Sequence, residues 1–127
     1  MRMRKLVASL SILMFASLLS ALEFVSLDEA YKMQQANNKP IMIVYVKDGC
    51  RYCDRMDKLF EDRELSRWIE DRFIAVKHNT KNSLPFCDVN MTPSYCFLDK
   101  NQEVLKLIPG SWSKEDFMDL SKDIGGR

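Results

Sequence analysis

The chain has 127 residues, of which 46% are hydrophobic and 29% are charged. This length allows one compact domain, and this composition excludes an intrinsically disordered protein. When the N-terminal basic residues Arg2, Arg4 and Lys5 are set aside, 16 basic residues remain against 18 acidic ones. This small negative balance, without a basic patch or stripe, argues against nucleic acid as a partner.

The chain begins with a pattern that is typical of secretory signals. Its basic start precedes an uncharged apolar run over residues 6–22. The pattern predicts a signal peptide over residues 1–21 and a mature domain over residues 22–127. The run is also near the lower length limit for crossing a bilayer, so an uncleaved anchor is the alternative. Both alternatives predict an exported, periplasmic-type protein that touches a membrane only through this segment.

The first half of the mature chain predicts a helix, a strand and a second helix. Ser26 and Glu29 form a capping box for a helix over residues 27–36. Residues 41–46 are apolar on both faces, which is typical of a strand covered on both sides. The Cys50-x-x-Cys53 pair follows directly and opens a second helix whose apolar residues recur at helical spacing.

The second half predicts a helix, three strands and a final helix. After the helix, residues 73–78 form a strand parallel to the first, because a helical crossover separates the two. Residues 94–98 and 103–108 form an antiparallel hairpin, and a last helix begins at Ser113. The order predicts an α/β fold with a four-stranded mixed sheet flanked by helices.

Two cysteines at the start of a helix predict redox chemistry. The unpaired N–H groups and positive dipole end of a helix stabilise a thiolate, and they lower the pKa of the first cysteine. Arg51 adds a fixed positive charge in the same direction. Thiolate is the attacking species in disulfide exchange. The sequence therefore predicts Cys50 as the nucleophile and Cys53 as the resolving thiol.

Two other interpretations of this pair are weaker. A zinc site of paired knuckles needs a second close cysteine pair, whereas Cys87 and Cys96 are nine residues apart. A purely structural disulfide between Cys50 and Cys53 would close a very small loop and stabilise the fold only modestly. No metal or organic cofactor is predicted.

Four segments of the chain are informative when taken together: Asp28-Glu29-Ala30, Lys39-Pro40, Asp48-Gly49-Cys50-Arg51-Tyr52-Cys53 and Thr92-Pro93. With these segments the chain resembles the thioredoxin superfamily, and in particular its small exported members. The resemblance covers residues 23–125 and includes the terminal hairpin with its helix.

The resemblance implies roles for residues outside the cysteine pair. Pro93 would be the family's cis proline beside the cysteines, and the backbone of Thr92 would pair with an extended substrate. From their positions in this sequence, Arg51 and Tyr52 between the cysteines are predicted to bind substrate, and Met91 beside Thr92-Pro93 is a candidate for the same surface. The tyrosine and the threonine are similar to those of periplasmic disulfide isomerases.

The chain departs from thioredoxins proper at the position of their buried acid, six residues before the first cysteine. This position is Val44 here, and Asp48 is expected to be exposed and unable to replace the acid. The departure leaves the direction of the reaction open.

Cys87 and Cys96 allow two interpretations. The mid-strand position of Cys96 favours a pair of buried, unbonded thiols. A second disulfide is the alternative that export would permit.

Together these features predict a thiol–disulfide oxidoreductase that acts on exported proteins and is reset by a membrane redox partner. The compact domain, which lacks the large helical insertion typical of oxidases, favours a reductase slightly. An oxidase or isomerase-like activity is an alternative, as is a non-enzymatic binding module with a static disulfide.

Overall fold

The structure is a computed structural model that describes residues 21–82, 84 and 86–125. The predicted signal peptide lies outside the described residues, apart from Ala21. Eight elements follow one another with short connections for most of the chain. They are α1 (Leu27–Asn37), β1 (Ile41–Val46), α2 (Arg51–Leu59), α3 (Arg63–Arg72), β2 (Ile74–Asn79), β3 (Ser94–Leu98), β4 (Val104–Pro109) and α4 (Lys114–Ser121).

The four strands form one mixed sheet in the order β2-β1-β3-β4. β1 pairs with β2 in parallel and with β3 antiparallel, and β3 pairs with β4 antiparallel. The parallel pair, the hairpin and the flanking helices confirm the predicted fold class. This order makes β1 and β3 the two central strands. The predicted site residues follow the end of β1 and precede the start of β3, and these two points lie at the same end of the sheet because the strands are antiparallel.

Each face of the sheet has its own apolar cluster. On one face, α2, α3 and α4 pack over Val44, Tyr95 and Phe97. On the other face, α1 and the loop between β2 and β3 pack over Ile43 and Cys96. Alternate residues of β3 therefore belong to different clusters, as the two-residue period of a strand requires.

Local hydrogen bonds explain where the elements begin and end. The Ser26 side chain accepts the Glu29 N–H at 3.1 Å, so the predicted cap is present at the start of α1. β2 begins one residue later than predicted, because the Phe73 N–H is still bonded to the Ile69 carbonyl at the end of α3. β4 also begins one residue later, because the Glu103 N–H donates to the Asp99 side chain in the turn.

Among the described residues, no helix is both long enough and apolar enough to cross a membrane.

Candidate active site

The Cys50 sulfur lies at the N-terminus of α2. Gly49, with φ of +71°, turns the chain out of β1 in a conformation that favours glycine. Cys50 then takes the N-cap position, and its Sγ accepts the Cys53 N–H at 3.1 Å. The sulfur thus satisfies one of the free N–H groups of the helix start, which is where a negative charge is stabilised.

Cys50 and Cys53 form a disulfide within the first turn of α2. The exposed fractions are 8% for Cys50 and 4% for Cys53, so Cys50 is the more accessible of two nearly buried residues. This order is the one expected of an attacking and a resolving thiol.

The loop before β3 brings a second hydrogen-bond donor to the same sulfur. The Thr92 hydroxyl donates to Cys50 Sγ at 3.4 Å, and the Thr92 carbonyl oxygen lies 3.6 Å from that atom. The Thr92–Pro93 peptide bond is cis, the isomer that the resemblance implies. Pro93 itself is buried, and its carbonyl oxygen accepts the Gly110 N–H at 2.8 Å. The hydrogen bond to Gly110 ties this loop to the end of β4.

A cleft of 440 Å³ opens beside the cysteine pair. The structure brings five of the predicted residues together there: Cys50, Arg51, Tyr52, Met91 and Thr92. The rest of the lining consists of Lys47, Gly49 and Asn90. Cys53 and Pro93 do not line the cleft.

Two large apolar side chains stand exposed at the cleft. The exposed fraction is 51% for Tyr52 and 49% for Met91. The Arg55 guanidinium lies 5.1 Å from the centre of the Tyr52 ring, a cation–π contact that holds the ring near the helix. Sequence reasoning named Met91 as a candidate but missed Lys47 and Asn90, because neither belongs to a recognisable pattern.

No acid occupies the position behind the pair where thioredoxins carry one. Val44 is fully buried there and pairs across the sheet with Tyr95. Asp48 is exposed, as expected, and its carboxylate contacts Lys81 at 3.8 Å and accepts from the Asn79 side chain at 3.0 Å. Burial raises the pKa of the Tyr95 hydroxyl far above its ordinary value of 10. Tyr95 therefore remains a neutral phenol through the physiological range.

Cys87 and Cys96 form a second disulfide, so the interpretation of two unbonded thiols is wrong. Cys96 is fully buried on β3, between Ile43 of β1 and Leu107 of β4. Cys87 reaches it because the loop between β2 and β3 lies across that face of the sheet. Phe86 and Val89, on either side of Cys87, pack against the same cluster as Cys96. These apolar side chains in a loop are the sequence feature that could have indicated its burial against the sheet.

Over the described part of the chain, no group of three or more His, Cys, Asp or Glu side chains could hold a metal ion.

Comparison with known proteins identifies the family. The sequence pattern of the thioredoxin-like domain matches residues 27–125. The chain belongs to the thioredoxin-like domain family. Anterior gradient protein 3 of Xenopus tropicalis is 25% identical over 100 residues, which cover 76% of this chain and 61% of that protein. The chain thus matches less than two thirds of the length of that curated relative.

Two solved structures illustrate the fold of the thioredoxin-like domain. A DsbH oxidoreductase superimposes with a TM-score of 0.68 and 16% identity, over 94% of this chain and 96% of the other. A thioredoxin from Thermus thermophilus gives a TM-score of 0.69 and 22% identity, over 80% and 85%. These likenesses establish the fold, and the Cys50–Cys53 pair within it supports thiol–disulfide oxidoreductase chemistry in general.

Proposed function

We propose that this protein is an exported thiol–disulfide oxidoreductase that exchanges disulfides with other exported proteins. The observation that carries the proposal is the position of the Cys50 sulfur. It caps a helix N-terminus, accepts hydrogen bonds from the Cys53 N–H and the Thr92 hydroxyl, and borders an open cleft. The helix N-terminus and the two hydrogen bonds stabilise a thiolate, and the cleft leaves it accessible to a substrate.

The exchange takes two steps. In the reduced protein, the Cys50 thiolate attacks one sulfur of a substrate disulfide, whose bond breaks and whose other sulfur leaves as a thiolate and takes a proton. Cys53 then loses its proton and attacks Cys50 Sγ, which releases the second substrate thiol. Two electrons pass to the substrate, and the protein ends with the Cys50–Cys53 disulfide found in the structure.

The residues around Cys50 supply the docking surface in this proposal. Thr92 borders the cleft, and its backbone would pair with an extended substrate segment. The buried Pro93 would fix the position of this loop through its hydrogen bond to Gly110. Arg51 and Tyr52 would contact the residues next to the reacting substrate cysteine. The exposure of Tyr52 supports this role, because a large exposed apolar side chain at a cleft is typical of an interaction site.

Export is supported by two independent features. One is the pattern of the first 21 residues. The other is the Cys87–Cys96 disulfide, which lies away from the cleft and is of the kind that persists in oxidising compartments. In such a compartment a reductase consumes electrons with every turnover, so we propose a membrane redox partner that resets Cys50 and Cys53.

We propose the reductase direction. The support is the short path from α2 to β2, which contains only α3, whereas oxidases typically carry a large helical insertion. The hydrogen bonds to Cys50 act in the opposite direction, because stabilising the thiolate makes the pair more oxidising. The reduction potential decides: about −270 mV is typical of a reductase and about −120 mV of a disulfide donor.

The proposal is tested by reduction of a protein disulfide with dithiothreitol as the electron source. We expect the protein to accelerate the reaction over dithiothreitol alone, and the Cys50→Ser variant to give no acceleration. A protein that gives no acceleration, although its Cys50–Cys53 disulfide opens in the same buffer, is a binding module and not an oxidoreductase.

A further inference from the structure

We propose that the cleft beside Cys50 selects polypeptide substrates with acidic residues next to the reacting cysteine. The proposal rests on the proposed function and adds to it the chemical class of the substrate. Its basis is the charge and the apolar surface of the residues that line the cleft, which differ from those of the protein as a whole.

The cleft is positively charged although the domain is not. Lys47 and Arg51 line it together with Cys50, and no acidic residue does. Both side chains are exposed, and neither is part of an ion pair within the described ranges. The nearest acid in sequence, Asp48, is engaged by Lys81 and Asn79. Two cations without an ion-pair partner among the described residues thus line the cleft with Cys50, in a chain whose residues 22–127 include more acidic than basic side chains.

The same cleft offers apolar surface on either side of Cys50. Tyr52 lies on α2, and Met91 lies on the loop that leads into Pro93. The volume of 440 Å³ accommodates a few residues of an extended chain. The occupant that complements this lining is a cysteine-containing segment with one apolar side chain and one or two carboxylates.

The charges act on encounter and on register more than on the chemical step. Complementary charges raise association rates and penalise partners of the wrong sign, and salt screens both effects. A basic segment would bring its charge next to Lys47 and Arg51 in the cleft. Discrimination between acidic and basic substrates is therefore the property to measure.

The experiment uses three peptides that contain the same intramolecular disulfide and differ only in the residues beside one cysteine: Glu, Gln or Lys. Reduced protein is mixed with each oxidised peptide, and the second-order rate constant of this single exchange is measured at low ionic strength. Each value is divided by the rate constant with dithiothreitol, which removes the intrinsic reactivity of each peptide disulfide. We expect the Glu peptide to react about three- to tenfold faster than the Gln peptide, and the Lys peptide to react slowest.

Two double variants assign the preference to the cleft. In Lys47→Gln/Arg51→Gln the ratio of the Glu to the Gln peptide should fall to about one. It should fall likewise for the wild-type protein in 1 M salt, where the Debye length is about 3 Å. The control is Lys32→Gln/Lys100→Gln, which removes the same charge from exposed positions on α1 and in the turn between β3 and β4. The control should keep the full preference. The ratio is the readout because Arg51 also affects the reactivity of Cys50, which changes all three rates together.

Equal normalised rates for the three peptides would overturn the proposal and leave the proposed function intact, since the Gln peptide tests that function alone. A preference that survives in Lys47→Gln/Arg51→Gln would overturn it as well. If the protein reduces none of the peptides, the proposed function fails and the substrate preference fails with it.

Discussion

The two disulfides of this domain are the same kind of bond but have different surroundings. Cys50–Cys53 closes a single helical turn at the end of the sheet, beside an open cleft and two hydrogen-bond donors. Cys87–Cys96 spans nine positions and ties a loop to a central strand, with Cys96 fully buried in an apolar cluster. The adjoining cleft and the hydrogen bonds to Cys50 Sγ, which the second pair lacks among the described residues, favour exchange at the first pair.

The two disulfides also differ in where the leaving thiolate is placed. Opening a disulfide creates a thiolate on the sulfur that is not attacked. At the first pair, attack on Cys50 gives a mixed disulfide, and cleavage of that bond releases Cys50 Sγ as a thiolate beside the helix N-terminus and the Thr92 hydroxyl. At the second pair, attack on the partly exposed Cys87 leaves the charge on Cys96, among apolar side chains that cannot solvate it. We therefore assign exchange to the first pair and structural support to the second.

The largest expected effect is the trapping of substrate. The Cys53→Ala variant keeps the attacking thiol and lacks the resolving one, so a mixed disulfide with a substrate protein should accumulate and appear as a mass adduct. Cys50→Ala should give no adduct. Cys96→Ala, which leaves Cys87 without its partner, is the matched control and should trap much less. Equal trapping by Cys53→Ala and Cys96→Ala would remove the distinction between the pairs.

The second effect is on stability. The Cys87→Ala/Cys96→Ala variant should lose about 2–3 kcal/mol of unfolding free energy, because a closed loop of this length restricts the unfolded chain by about that amount. The Cys50→Ala/Cys53→Ala variant should lose less, since its loop is shorter. Urea unfolding without reductant measures both. A larger loss at the first pair would contradict the structural role given to the second.

The third effect concerns Tyr95, the neighbour of Cys96 on β3 that faces the opposite cluster. Its pKa is raised by burial, so above pH 10 the unfolded chain releases the phenolic proton while the native chain keeps it. Its contribution to stability is therefore fully present below pH 10. It is lost at about 1.4 kcal/mol per pH unit as the pH rises from there towards the native pKa.

The Tyr95→Phe variant should lose stability more slowly above pH 10 than the wild type. At pH 7 its stability should equal or slightly exceed that of the wild type, because the buried hydroxyl has no hydrogen-bond partner among the described residues. Unfolding at pH 7 and at two alkaline pH values measures both. Identical alkaline slopes would contradict the prediction.

The smallest effect concerns the hydrogen bond from the Thr92 hydroxyl to Cys50 Sγ. Thr92→Val removes the hydroxyl that donates to Cys50 Sγ, and Thr92→Ser keeps it. Loss of one such hydrogen bond should destabilise the thiolate by about 1 kcal/mol. That corresponds to a reduction potential about 20 mV more negative for Thr92→Val, with slower alkylation of Cys50 at pH 7. The Thr92→Ser variant should behave like the wild type. An unchanged potential in Thr92→Val would show that the contact does not tune the pair.

Most of the fold could be predicted because its signals are local. The capping box at Ser26, the apolar run of β1 and the polar turn of the hairpin each depend on residues close in sequence. The errors in the bounds of β2 and β4 came from single hydrogen bonds, those of Phe73 and Glu103, which no apolar pattern encodes.

The site was less predictable because it depends on packing. The spacing of Cys50 and Cys53 at the start of a helix is enough to predict their redox role. Thr92 lies beside them only because of the path of a distant loop, which the family resemblance alone indicates. The Cys87–Cys96 bond was missed because the loop that carries Cys87 has no periodicity. Lys47 was not predicted either, because only its position in the folded chain, beside the cleft, distinguishes it from other exposed lysines.

We assign to the two disulfides a division of roles, with exchange at Cys50–Cys53 and structural support at Cys87–Cys96. It is tested most directly by equilibrating the protein in redox buffers of stepped potential, alkylating the free thiols and determining by mass spectrometry which cysteines are labelled. We expect Cys50 and Cys53 to become labelled between about −120 and −270 mV. Cys87 and Cys96 should stay protected until the potential falls below about −300 mV. Labelling of Cys87 and Cys96 first, or protection of Cys50 and Cys53 below −300 mV, would contradict the claim.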